Sequence, residues 1–131
     1  MTTLYVDSSA LIKRVFVEEG SDQVRAVLQS HAAQGSLVAS SELAWVEVSR
    51  ALLRAGSRRL DRDMDDAFSG IARYPLSSVI VERARRVGPA RLRSLDALHL
   101  ASAVALGATE MLTFDDRLAD AASSIGLTTI G

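Results

Sequence analysis

Residues 4–13 read LYVDSSALIK. Leu4, Tyr5 and Val6 form a short apolar run with the composition of a buried strand, and the run stops abruptly at Asp7. A helical pattern, SSALIKRVFVEE (residues 8–19), follows at once. A strand that passes so quickly into a helix is the first half of a parallel βα unit, so this stretch decides the fold class. It also raises a question about Asp7. Either Asp7 or Ser8 simply caps the helix, or Asp7 belongs to a site completed by acids elsewhere in the chain.

The same rhythm continues along the chain. After Gly20, residues 21–34 read as a helix with Val24, Val27, Leu28 and Ala32 on one face. SLVAS (36–40) is a second strand, and Ser40 or Ser41 caps a helix over 42–56 that Gly56 stops. Residues 61–74 form a further helix with Asp61, Asp63, Asp65 and Asp66 near its positive end. YPLSS (74–78) is expected to be a third short strand, followed by a helix over 79–88. Ser94 caps LDALHLASAVALG, which is apolar nearly all round and so is expected to be buried. EMLTF (110–114) is a strand, 115–126 a helix, and LTTI (127–130) a final edge strand. Alternating strands and helices predict a parallel sheet covered on both faces, in one domain spanning 1–131. In such sheets ligands bind beyond the carboxyl ends of the strands, where Asp7 is placed.

Composition removes several functions. There is no cysteine, hence no disulfide, thiolate metal site or cysteine nucleophile. The net charge of −1 gives no global basic field for nucleic acid. Nothing at the N-terminus resembles a signal peptide, and no stretch is long enough to span a bilayer, so a cytoplasmic protein is expected. The basic residues are one lysine, Lys13, and 14 arginines, many of them between Arg50 and Arg93, and arginine suits bidentate contact with phosphate or carboxylate.

Asp115 and Asp116 end a second strand as Asp7 ends the first, while Asp96 and Glu47 each stand in an apolar helix where an unpaired carboxylate is costly. If the four acids converge at about 5 Å, each pair repels by roughly 3 kcal/mol at an effective dielectric of 20. Such a cluster must take up protons, splay apart or hold a cation. Oxygen-only ligation suits Mg²⁺, with Mn²⁺ as a substitute. Other acid-dependent sites do not fit. A haloacid-dehalogenase-type phosphatase needs an aspartate where Ser9 stands, a receiver domain needs a late lysine, and neither a glycine-rich phosphate loop nor a nucleophile elbow is present.

LYVDSSALIK, SSELAWVEVSRAL (40–52), SLDALHLASAVALGA (94–108) and LTFDDRL (112–118), in this order and spacing, resemble the PIN-domain ribonucleases, most closely the VapC-type toxins of bacterial toxin–antitoxin pairs. The resemblance implies a three-layer α/β/α sandwich and a metal-dependent endoribonuclease whose catalytic and metal-binding acids are Asp7, Glu47, Asp96 and Asp115. Ser9 and Thr113 match the family's small hydroxyl positions. Glu42 is the alternative to Glu47 and Asp116 to Asp115. It also implies an RNA substrate, a small antitoxin occluding the acidic pocket, and a homodimer. Lys13, Arg14 and Arg50, with Arg54, are candidates to line the RNA path, although Arg50 is also placed to pair with Glu47. His99 is expected as a packed helix residue that could instead orient a carboxylate, His31 as a surface residue, and Trp45 as core. Two rivals remain at this level: a non-catalytic PIN-like binding module, and another Mg²⁺-dependent nuclease or phosphatase.

Overall fold

The computed structural model describes residues 2–131. The chain runs β1 (Thr3–Val6), α1 (Ser8–Leu11), a 3₁₀ turn (Ile12–Arg14), α2 (Ser21–Ala33), β2 (Leu37–Ser41), α3 (Glu42–Arg54) and α4 (Leu60–Ala67). It continues through β3 (Ala72–Tyr74), α5 (Ser78–Ala84), α6 (Ser94–Ala105), β4 (Glu110–Leu112), α7 (Asp116–Ser124) and β5 (Thr128–Ile130). All strand pairs are parallel, in the order β3-β2-β1-β4-β5.

The central strand shows why the sequence folds this way. Leu4, Tyr5 and Val6 are all fully buried because β1 is covered on both faces. Side chains alternate across a strand, so Leu4 and Val6 join a cluster with Val24, Val48 and Met64 from α2, α3 and α4. Tyr5 points the other way, into a cluster with Leu100 of α6 and Leu118 and Ala122 of α7. Helices thus cover both faces, giving the three-layer α/β/α arrangement. The strand sequence reverses direction beside β1, with β2 on one side and β4 on the other. A crevice therefore opens beyond the carboxyl ends of β1 and β4.

Three expectations are corrected. The helix expected over 8–19 ends as a 3₁₀ turn at Arg14. Side chains take over the backbone groups that a longer helix would have used: Ser21 Oγ donates to the Phe16 carbonyl and accepts from the Glu18 amide, and Lys13 Nζ donates to the Glu19 carbonyl. Gly20 then turns at φ +93°, where a Cβ would lie 2.8 Å from the Phe114 ring. The third strand is Ala72–Tyr74 rather than residues 74–78. Tyr74 pairs with Ser41, and the next residue, Pro75, has no amide hydrogen to extend the ladder. His31 is buried instead of exposed, packed near Glu110 at the amino-terminal edge of the sheet. Among the described residues no helix is long and apolar enough to cross a membrane.

Candidate active site

Asp7 follows β1 and caps α1: its Oδ1 accepts from the Ala10 amide at 3.2 Å and from Ser9 Oγ at 2.7 Å. Its Oδ2 accepts from Thr113 Oγ1 at 2.6 Å. Capping and site are therefore not alternatives, because the cap fixes the carboxylate at the crevice. Burial pushes the Asp7 carboxyl above its usual range. The nearby His99, the Thr113 and Ser9 hydroxyls and the Ala10 amide partly offset that rise.

Ser9 and Thr113 also shape the second acidic loop. Ser9 Oγ accepts from the Phe114 amide at 2.8 Å, and Thr113 Oγ1 accepts from the Asp115 amide at 3.1 Å. Asp115 caps α7 with Oδ1, which accepts from the amides of Arg117 and Leu118. Asp116 lies exposed in the first turn of α7, so Asp115 is the acid tied to the Asp7 network.

Asp96 stands in the first turn of α6 and is only partly exposed. Its carboxyl is raised, first by desolvation and then by the charge of Asp115, with smaller contributions in the same direction from Asp7 and Glu47 and an opposing one from His99. Four acids from four elements therefore share one electrostatic environment. Glu47, on α3, is held through Oε1, which accepts from Ser8 Oγ at 3.1 Å and from His99 Nε2 at 2.6 Å. Glu42 instead lies 3.6 Å from Arg73 Nε.

The candidate cations divide. Lys13 pairs with Glu18 at 3.1 Å and sits 4.8 Å from the Phe114 ring centre, while Arg14 donates to the carbonyls of Ala67 and Ser69. Both are engaged in holding the loop and α4. Arg50 and Arg54 are exposed on α3 and line a cleft of about 530 Å³ with Ser8, Ser9, Glu47 and Leu95. The ion pair between Arg50 and Glu47 is not formed; His99 takes that place. Trp45 packs edge-on to Phe68 at 4.9 Å, with the Arg73 guanidinium 3.9 Å from its ring centre, so it belongs to the core.

The donor set is hard oxygen throughout, which fits Mg²⁺ or Mn²⁺. Among the described residues no group of three or more acid or imidazole side chains is placed to hold a metal ion by itself. Mg²⁺ commonly uses one or two carboxylates and completes its shell with water and substrate phosphate, so an open rim of acids is compatible with it.

Read from the sequence, Tyr5, Ser8 and Ser41 have roles as strand or cap residues and no part in the site. Tyr5 and Ser41 sit behind His99 in a buried chain, and Ser8 holds the other side of Glu47. The one available signal was a hydroxyl-bearing ring in the middle of an aliphatic strand.

Comparison with known proteins gives a consistent picture. Residues 4–123 match the family model described as PIN domain. Ribonuclease VapC47 of Mycobacterium tuberculosis (strain CDC 1551 / Oshkosh) is 34% identical over 128 residues, covering 96% of this chain and 94% of that protein. Ribonuclease VapC46 of Mycobacterium tuberculosis (strain ATCC 25618 / H37Rv) is 36% identical, covering 99% and 98%. Among solved structures, Mycobacterium tuberculosis VapC20, described as a toxin cleaving the sarcin-ricin loop, superposes with a TM-score of 0.72 at 17% identity, covering 95% of this chain and 96% of that one. VapBC2 from Rickettsia felis, bound to a fragment of its promoter DNA, also gives 0.72, at 12% identity and 98% coverage of both chains.

Proposed function

The chain belongs to the PIN-domain family, and from that premise we propose that it is a metal-dependent endoribonuclease acting as the toxin of a toxin–antitoxin pair. The observation that carries the chemistry is Asp96: a partly buried carboxylate, raised first by desolvation and then by the charges of Asp115, Asp7 and Glu47. Such a rim repels RNA by itself and calls for a divalent cation. Asp7, Asp96, Asp115 and Glu47 would hold Mg²⁺ or Mn²⁺, which supplies positive charge for the scissile phosphate and acidity for an attacking water.

The chain's own residues supply position. Ser9 and Thr113 fix both oxygens of Asp7. The Asp115 cap holds one oxygen against α7. Arg50 and Arg54 give the neighbouring cleft two cations for the phosphates flanking the cut. The same negative rim suits occlusion by a small antitoxin presenting a basic side chain, and the solved relatives include toxin–antitoxin complexes such as that from Klebsiella pneumoniae. A homodimer is part of this reading.

The test is cleavage of total cellular RNA by purified, partner-free protein with Mg²⁺, Mn²⁺ or chelator, and Asp96→Asn as control. Discrete cation-dependent ends, absent from the control, support the nuclease. Intact RNA after incubation with folded, cation-loaded protein overturns it in favour of a binding module.

A further inference from the structure

Glu47 Oε1 takes two donors at once, Ser8 Oγ at 3.1 Å and His99 Nε2 at 2.6 Å. Behind it the imidazole is fixed as well. His99 Nδ1 lies 2.7 Å from the Tyr5 hydroxyl, whose oxygen lies 3.0 Å from Ser41 Oγ. Tyr5 and Ser41 are fully buried and His99 nearly so, which leaves no room for water to replace the links among these three. The chain joins the ends of β1 and β2 to α3 and α6.

Donor and acceptor rules set its direction. A carboxylate only accepts, so His99 Nε2 carries the hydrogen that lies between it and Glu47. Nδ1 lies 2.7 Å from the Tyr5 oxygen, which holds the ring from behind. The Tyr5 hydroxyl itself donates to Ser41 Oγ.

We infer that His99 is a positioning residue for Glu47: its Nε2–H fixes one carboxylate oxygen, the Tyr5 hydroxyl holds the ring from behind, and Oε2 of Glu47 is left for a cation or water. This deepens the nuclease reading and rests on it for its consequence, though not for its geometry. Partners of this kind, one bond removed from a metal ligand, typically change metal affinity or activity 10–100-fold when removed.

The decisive measurement is the ¹⁵N spectrum of the imidazole rings in the labelled full chain with Mg²⁺. The two histidines give two ring systems, and His99 is identified by its loss in His99→Gln. The expected result is a hydrogen on Nε2 whose signal moves in Glu47→Gln. An Nε2 without a hydrogen, or one unmoved by Glu47→Gln, overturns the inference.

A second readout uses single-turnover cleavage. Glutamine keeps an N–H donor near the Nε2 position and leucine does not. His99→Leu should lose 10–100-fold and His99→Gln recover most of it; equal losses would overturn positioning. If RNA is never cut, the nuclease reading falls while the ring spectrum still decides this one. If RNA is cut but Nε2 carries no hydrogen, only the positioning falls.

Discussion

The molecule carries two buried histidine–glutamate pairs, one at each end of its sheet. At the carboxyl end, His99 and Glu47 side chains are 3% and 25% exposed; at the amino end, His31 and Glu110 are 8% and 21% exposed. Burial does not distinguish them, but wiring does. His99 uses both ring nitrogens at 2.6 and 2.7 Å, whereas His31 reaches Glu110 only at 3.4 Å and leaves Nδ1 buried with no partner among the described residues. One imidazole is locked in a single orientation beside a crowd of acids, and the other is merely enclosed. A buried ion-pairing residue thus points to function when its second partner is also fixed, and not by burial alone.

The comparison breaks most directly through activity. Asp96→Asn should lower RNA cleavage by about a hundredfold or more, roughly 2.7 kcal/mol in activation free energy. His31→Leu, at the other end, should leave the single-turnover rate within about twofold. An equal loss from both would erase the distinction between the ends.

Stability sharpens the same contrast. His99→Leu takes one of two partners from the Tyr5 hydroxyl and removes a donor from Glu47, for an expected cost of about 2–3 kcal/mol in denaturant unfolding. His31→Leu removes an already unsatisfied polar atom and should change stability by less than about 1 kcal/mol.

The acid rim should also make the carboxyl end pH-dependent. Asp7 and Asp96 both titrate above the ordinary carboxylate range, so the folded chain keeps protons that the unfolded chain has released. Stability is therefore lost as pH rises through their raised values and regained as pH falls toward about 4, where unfolded carboxylates titrate. In chelator, melting temperature should rise as pH is lowered through that window, each kcal/mol appearing as about 3–5 °C. Mg²⁺ should flatten the slope, and Asp96→Asn should reduce it.

The smallest effect belongs to the surface. Arg50→Ala should weaken RNA binding by about two- to fivefold, more at low salt, with no change in melting temperature. Arg14→Ala should do the reverse, because its guanidinium holds the carbonyls of Ala67 and Ser69.

Much of the fold was readable because strand and helix periodicities are local: β1, β4 and the apolar α6 follow from runs of a few residues. What failed was decided by groups that a linear pattern does not bring together. The helix after Asp7 stops early because Ser21 and Lys13 capture backbone groups from a neighbouring turn. The third strand shifted because Ser41 fixes its register from the adjacent strand. At the site, Asp7 was legible as an acid at a strand end, while the placement of Asp96, Asp115 and Glu47 drew on resemblance to a family. The role of His99 was not legible, since its two partners lie 52 and 94 residues away.

The bond from Thr113 to Asp7 joins residues 106 apart. Closing so long a segment costs about 2 kcal/mol more than closing a ten-residue one, and synthesis imposes an order on it. Asp7 leaves the ribosome 106 residues ahead of its hydroxyl partner. A nascent chain arrested before residue 110 has neither β4 to flank β1 nor Thr113 to hold the first acid. If the protein cuts RNA, the ribosome that makes it is spared through that interval.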